Sequence, residues 1–171
     1  MMMKGRRSFV KSVSMAAASA VGASAVARAQ DGGNGGPDFL GGWTTVHASP
    51  VGPFRELLMF AAGGGLTETN SLLHTSSNIT FLSQFGLPAV VNASDGIGTW
   101  ERVTGHEIRV SFRKLLFDGN RVYFGDFWVK GTLRFNSDQI TADWTQIWIV
   151  NPDNQLLLDL GPATSTGTRI R

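Results

Sequence analysis

Hydrophobic and polar residues alternate along most of the chain after residue 96. In residues 107–117, apolar side chains recur at nearly every second position, and polar or charged side chains stand between them. Residues 140–150 show a similar alternation. A period of two is typical of a β-strand that buries one of its faces. Aromatic and β-branched residues dominate both segments, which favours strands over helices.

Clusters of turn-forming residues separate these segments at short intervals. They are Thr104-Gly105, Asp118-Gly119-Asn120, Asn136-Ser137-Asp138 and Asn151-Pro152-Asp153-Asn154. Glycine adopts positive φ angles easily, and Asn and Asp hydrogen-bond to their own backbone. Further strands are predicted at 40–47, 54–62, 66–70, 98–103, 121–135, 156–160 and 164–170. Consecutive strands joined by short turns pair as antiparallel neighbours.

The strand pattern predicts an all-β fold, a single antiparallel up-and-down β-barrel of about eight strands. Several segments have ten or more residues, or about 30 Å of strand, and closure into a barrel removes exposed edges. A barrel of eight strands has an interior that side chains just fill, or that holds one small ligand. The irregular segment 71–95 is long for a connection, which is typical of a lid or a mobile loop.

Residues 1–29 have the pattern of an export signal. A basic start with Lys4, Arg6, Arg7 and Lys11 precedes an uncharged run rich in Ala, Ser and Gly. Ala27-Arg28-Ala29 has the small-x-small form of a cleavage site. The run is too short and too weakly apolar for a transmembrane helix.

The leader also contains Arg6-Arg7-Ser8-Phe9-Val10-Lys11, which resembles the twin-arginine motif of bacterial Tat signals. The resemblance implies export of an already folded protein, with the Tat translocase as a partner. The alternative is an ordinary Sec signal with a chance arginine pair. The predicted organisation is an export signal at 1–29, a flexible Gly-rich lead-in at 30–38 and a barrel at 39–171. We expect a periplasmic or secreted protein with no stable membrane insertion after cleavage.

Charge and cysteine content narrow the function classes. Five of the 15 basic residues lie in the leader and all 13 acidic residues follow it, so the remainder carries a net charge of −3. Nucleic-acid binding requires a basic patch on the folded domain, and none is expected here. The absence of cysteine excludes disulfides, thiol nucleophiles and thiolate metal sites.

Two short motifs near the ends of the domain carry a family resemblance. Gly41-Gly42-Trp43 starts the first predicted strand, and Thr166-Gly167-Thr168-Arg169-Ile170 ends the last one. Together they resemble the calycin superfamily, which includes lipocalins and lipocalin-like bacterial proteins. The resemblance implies that Arg169 packs over Trp43 as a structural pair at the barrel floor. It also implies a cup for a small apolar molecule.

A second likeness rests on Gly96-Ile97-Gly98-Thr99-Trp100 together with the Thr-Gly-Thr-Arg tail. This combination resembles exported bacterial proteins that have a G-x-G-x-W strand and the same C-terminal sequence. A dinucleotide fingerprint is excluded, because a third glycine and a following helix are missing.

Candidate catalytic residues are few. His47 and His74 are the best candidates for a general base, since imidazole titrates near neutral pH. The histidine spacing does not suit a metal, and neither a metal nor a cofactor is expected. Of the acids within strands, Glu56, Glu68 and Asp143 are expected on the solvated outer face. Asp126 alternates with Phe124 and Trp128, so it is expected to point inward as a weak acid–base candidate.

Aromatic residues provide the candidate ligand site. Five of them fall at alternate positions of three adjacent strands: Phe112, Phe124, Trp128, Trp144 and Trp148. If they share the face that lines the barrel, they form an aromatic cup of the kind that binds small molecules. The alternative is a filled core.

Two functional hypotheses follow, and a third has less support. The first is an exported protein that carries a small hydrophobic or aromatic molecule in the barrel. The second is a cofactor-free isomerase or cyclase on a barrel like those of allene oxide cyclase and the dirigent proteins. The third is a purely structural envelope protein. Polar groups converging inside the cavity, such as His47, Asp126 or Tyr123, distinguish the second hypothesis from the first.

Overall fold

The computed structural model describes residues 38–48, 53–72 and 77–171, except for the side chains of 77 and 78. The predicted export signal, residues 30–37 of the predicted lead-in and His74 lie outside the described residues. Within the described ranges, no helix is long and apolar enough to cross a membrane.

Nearly all regular structure in the described residues is β-strand. The strands are β1 (Gly41–His47), β2 (Phe54–Ala61), β3 (Gly65–Asn70), β4 (Ser77–Asn78), β5 (Val90–Ala93), β6 (Gly96–Thr104), β7 (Glu107–Asp118), β8 (Tyr123–Asn136), β9 (Gln139–Val150), β10 (Leu156–Asp159) and β11 (Ala163–Arg169). A short 3₁₀ helix, Thr80–Phe85, lies between β4 and β5.

Eight of these strands close into an antiparallel barrel. The hydrogen-bonded order is β1-β2-β3-β6-β7-β8-β9-β11, and β11 pairs back with β1. The predicted all-β fold and up-and-down barrel of eight strands are therefore confirmed. Strands β4, β5 and β10 lie outside the ring, where β5 extends the sheet from β7 and β10 pairs with β9. Such a barrel is compatible with a lipocalin-like fold.

One end of the barrel is closed by the pair that the resemblance had indicated. Trp43 and Arg169 are directly opposite on β1 and β11, and the Arg169 guanidinium carbon lies 5.5 Å from the centroid of the Trp43 ring. Arg169 also donates hydrogen bonds to the backbone oxygens of Asp38, at 2.8 Å, and Leu40, at 2.5 Å. The fully buried indole of Trp43 donates to the Phe39 oxygen at 2.8 Å. These contacts hold the chain before β1 across the barrel floor.

A β-bulge in β9 changes which side chains face the interior. Lys130 pairs with Gln146 and Gly131 pairs with Trp144, so Thr145 is an extra residue on β9. Before the bulge, Ala142 and Trp144 face inward; after it, the inward positions move to the odd-numbered residues. An extra residue reverses the alternation of a strand because the side-chain period is two.

Residues 79–91, which lie between β3 and β6, cover the other end of the barrel. A second apolar cluster joins Ile79, Leu82, Leu87 and Val91 of this segment to Leu116 and Ile149 of the barrel. The 3₁₀ helix directs Leu82 into this cluster, and Gly86, whose φ of 73° is left-handed, caps its C-terminal end. Residues 79–91 are therefore packed on the barrel through their own apolar side chains.

Candidate functional site

A cavity of about 380 Å³ lies between the barrel floor and this cover. Its apolar lining includes Phe54, Phe112, Phe127, Trp144, Ile147 and Ile149 from the barrel wall. The cover contributes Ile79, Phe81, Leu82 and Val91. Cavities of about 300–1,000 Å³ with mostly apolar walls and a few polar groups are typical of small-molecule sites.

The polar lining is concentrated on three neighbouring strands. His47 of β1, Glu56 of β2 and Asn70 of β3 all line the cavity. Each is less than a tenth exposed, so a hydrogen bond formed there competes little with water. None of the described residues lining the cavity is a lysine or an arginine.

His47, Glu56 and Thr45 form one hydrogen-bonded group. Glu56 Oε2 lies 2.7 Å from His47 Nε2 and accepts a hydrogen bond of 2.9 Å from the Thr45 hydroxyl. Thr45 is directly opposite Glu56 across the β1–β2 pair, and His47 is on the same face two residues further along. Antiparallel pairing therefore brings the three side chains together. Both contacts involve Oε2, and no described residue donates a hydrogen bond to Glu56 Oε1.

Aromatic rings fix the orientation of the His47 imidazole. The Phe54 ring stacks on it with a centroid distance of 4.7 Å and an interplanar angle of 1°. The Trp144 ring lies 5.8 Å away at 26°, and its Nε1 donates to Ser165 Oγ at 3.1 Å. Phe112 in turn contacts Trp144 edge-on at 5.9 Å. The carboxylate and imidazole thus sit within a contiguous set of aromatic side chains.

A second buried group lies beside the first. Lys114 Nζ is 2.8 Å from Glu68 Oε2 but is aligned for a hydrogen bond with Oε1, at 3.2 Å. Asn70 also donates to Glu68 Oε1, at 2.9 Å. Burial and the neighbouring Glu56 carboxylate raise the pKa of Glu68 to about 7, against the opposing effect of Lys114 and Asn70. The two groups together form a polar belt inside an otherwise apolar barrel.

Gly96 allows the ion pair to form. Glu68 pairs with Gly96, and the β6–β7 register continues that row to Lys114. A Cβ atom added at Gly96 would lie 2.7 Å from Glu68 Oε2 and 3.0 Å from Phe112 Cδ2. The first glycine of the G-x-G-x-W strand therefore leaves the space in which the two charged side chains meet.

The expected outer-face position of Glu56 and Glu68 is wrong. Glu56 is 3% exposed and Glu68 is 2% exposed, and both point into the barrel. The alternation of β2 places Glu56 in phase with the inward residues Phe54 and Leu58. The positions of apolar residues along this strand therefore indicate that Glu56 points inward. A carboxylate in a strand is ordinarily solvated, which favours the outer face. Internal partners offset the cost of burial.

The five aromatic residues do not share one face. Phe112 and Trp144 line the cavity, whereas Trp128 and Trp148 contact each other on the outer face at a centroid distance of 6.0 Å. The bulge at Thr145 accounts for Trp148, because it reverses the alternation after Trp144. On β8, Val129 faces inward, so its neighbour Trp128 faces out. Phe124 is the extra residue of another bulge and packs against the second apolar cluster.

Asp126 is also outside the cavity, contrary to expectation. It alternates with the cavity-lining residue Phe127 and lies on the outer face, half-buried. There it contacts Arg113 at 3.3 Å and accepts a hydrogen bond from the Tyr123 hydroxyl at 2.9 Å. Neither Asp126 nor Tyr123 therefore contributes a polar group to the barrel interior.

The arrangement has two chemical capabilities. Glu56 Oε1 offers an acceptor to a molecule in the cavity, and a carboxylate beside an imidazole is a side-chain pair of the kind that acts in general acid–base catalysis. In the described part of the chain, no three His, Cys, Asp or Glu side chains are grouped as a metal site requires.

Comparisons of the chain with protein-family models, with curated proteins and with solved structures found no match.

Proposed function

We propose that this protein binds a small, predominantly apolar molecule inside the barrel. The observation that carries the proposal is the cavity of about 380 Å³, whose described lining is aromatic and aliphatic except for His47, Glu56, Asn70 and Thr164. Transfer of an apolar molecule into such a site is favourable by roughly 25 cal/mol per Å² of apolar surface removed from water. The polar group would orient the bound molecule.

A fluorescent probe tests this proposal. N-phenyl-1-naphthylamine, which is neutral and apolar, gains fluorescence on transfer from water to an apolar site. The variant Ile147→Trp enlarges a cavity-lining side chain, and Ile97→Trp makes the same change at a residue that is 75% exposed. We expect the wild type and Ile97→Trp to bind the probe and Ile147→Trp to lose binding. Equal binding by all three would contradict an interior site.

Export is part of the proposal. The basic start, the twin-arginine motif and the small-x-small site in residues 1–29 support a periplasmic or secreted location reached through the Tat translocase. Replacing both Arg6 and Arg7 by lysine retains the charge and removes the motif. We expect the wild-type protein in the periplasmic fraction and the double variant in the cytoplasm. Export of the double variant would indicate the Sec route instead.

Acid–base catalysis is a second candidate, favoured by the hydrogen-bonded His47–Glu56–Thr45 group on the cavity wall. A carboxylate and an imidazole in a desolvated site suit a cofactor-free isomerase or cyclase. Deuterium exchange at the α-carbons of cyclohexanone in D₂O provides a test with a model substrate, so the natural substrate need not be known. Accelerated exchange that is lost in Glu56→Gln would support catalysis. Exchange at the uncatalysed rate, with the probe still bound, would leave binding as the function.

A further inference from the structure

The described residues that line the cavity include one carboxylate, Glu56, and no lysine or arginine. Among the described residues, the titratable side chains that face the barrel interior are His47, Glu56, Glu68 and Lys114. Two carboxylates thus face one lysine, and the imidazole supplies a second positive charge only when it is protonated. Lys114 forms an ion pair with Glu68, in which Lys114 Nζ lies 2.8 Å from Glu68 Oε2. The carboxylate nearer the cavity, Glu56, forms no ion pair with a described lysine or arginine.

Glu56 also retains an acceptor that the described residues do not use. Its Oε2 receives hydrogen bonds from Thr45 and His47, whereas Oε1 receives none from any described residue. A carboxylate oxygen removed from bulk water without a donor carries a desolvation penalty. A ligand that brings a donor to Oε1 would remove this penalty, and a cationic donor would do so with a stronger, charge-assisted hydrogen bond.

The surrounding rings are suited to a cation as well. Phe54 and Trp144 enclose His47, the partner of Glu56, and Phe112 contacts Trp144. Aromatic faces attract ammonium groups, and the attraction increases where water is excluded. A carboxylate ligand would meet the opposite situation, since none of the described lining residues offers it a lysine or an arginine.

From these contacts we infer that the cavity selects small aromatic or aliphatic amines, whose ammonium group binds Glu56 and whose apolar part lies among the aromatic residues of the lining. The inference rests on the proposed binding function and specifies the chemical class of the ligand. It separates this barrel from one that carries fatty acids or other apolar carboxylates.

Three molecules of similar shape test the inference: 2-phenylethylamine, 2-phenylethanol and phenylacetate. Their affinities for the full chain are measured at pH 7.5 by displacement of N-phenyl-1-naphthylamine. We expect the amine to bind more tightly than the alcohol, and at least about tenfold more tightly than phenylacetate, as charge-assisted pairing in a desolvated site predicts. The comparison uses the wild-type protein, so it does not depend on a variant folding.

Glu56→Gln is the matching variant, and Glu101→Gln, an exposed carboxylate paired with Arg109, is its control. We expect Glu56→Gln to lose the preference for the amine while it still binds the probe, and Glu101→Gln to retain the preference. Phenylacetate binding as tightly as the amine would overturn the inference. So would an unchanged preference in Glu56→Gln, or probe binding with no displacement by the amine. Failure of the probe itself to bind would overturn the proposed function as well.

Discussion

Lys114 and Glu68 form a fully buried ion pair across a strand that separates them. Lys114 lies on β7, Glu68 lies on β3, and β6 runs between the two. The Nζ–Oε2 distance is 2.8 Å, and both side chains are at most 1% exposed. The contact is possible because the residue of β6 in this row is Gly96. A glycine in a strand interior thus has a packing role at the polar belt.

The first prediction concerns Gly96→Ala. The new Cβ would lie 2.7 Å from Glu68 Oε2 and 3.0 Å from Phe112 Cδ2, so the ion pair or the ring must move. We expect the free energy of unfolding in urea to fall by about 1–3 kcal/mol, as overpacking of a core typically costs. Gly65→Ala is the control, because its Cβ would meet Ala61 at an ordinary 3.7 Å. Equal stabilities of the two variants would contradict the steric role of Gly96.

The second prediction concerns the pH dependence of stability. Burial and Glu56 raise the pKa of Glu68 from 4.5 to about 7. Between these values the folded protein keeps a proton that the unfolded chain has released. The resulting stabilisation is present at low pH and is lost as the pH rises through about 7. Relative to Glu68→Gln, we expect the wild-type unfolding free energy to fall by up to about 3 kcal/mol across this range.

Urea denaturation of both proteins at a series of pH values measures this difference. Glu101→Gln is the control, since its carboxylate is exposed on the outer face. It should follow the wild-type curve throughout. Parallel curves for the wild type and Glu68→Gln would show that Glu68 has a similar pKa in the folded and unfolded states.

The barrel could be predicted from the sequence, whereas it could not be predicted which aromatic side chains point into the barrel and which point outward. The alternation in β7 and the turn residues around it depend on local chemistry, and both are visible in the sequence. The facing of Trp148 depends on the bulge at Thr145, which arises from pairing with Lys130 and Gly131 of β8. Gly131 allows β8 and β9 to approach each other closely there, because a Cβ atom added to it would lie 2.7 Å from the backbone oxygen of Asp143.

The third prediction tests whether Trp144 faces the barrel interior and Trp148 the outer surface. Trp144 is 2% exposed, contacts His47 and Phe112, and donates to Ser165, whereas Trp148 lies on the outer face. We expect Trp144→Phe to lower the free energy of unfolding by about 1–3 kcal/mol and to weaken probe binding. Trp148→Phe should change stability by less than about 1 kcal/mol and leave probe binding intact. Reversed effects would mean that β9 has no bulge.

The polar belt marks a second limit of sequence interpretation. Glu56, Glu68 and Lys114 are in phase with inward apolar neighbours, yet a charged residue in a strand is ordinarily solvated. Their burial is favourable only because partners from β1, β3 and β7 meet inside the barrel. Those partners are up to 46 residues apart along the chain, so no local pattern identifies them.

The fourth prediction concerns the barrel floor. Arg169→Met removes the cation over Trp43 and the donors to the backbone oxygens of Asp38 and Leu40. We expect a loss of about 1–3 kcal/mol in the free energy of unfolding, with probe binding retained because Arg169 does not line the cavity. Arg171→Met, at an arginine whose side chain is 84% exposed, should be nearly neutral. A stable Arg169→Met would contradict the structural role.

The most direct test of an interior binding site is a methyl NMR spectrum titrated with N-phenyl-1-naphthylamine. Ring currents from the bound probe shift nearby methyl resonances. The cavity predicts shifts at Val91, Leu116, Val129, Ile147 and Ile149, which line it, and none at the exposed Ile97, Leu156 and Leu157. Shifts confined to the exposed methyl groups, or no shifts at all, would contradict binding inside the barrel.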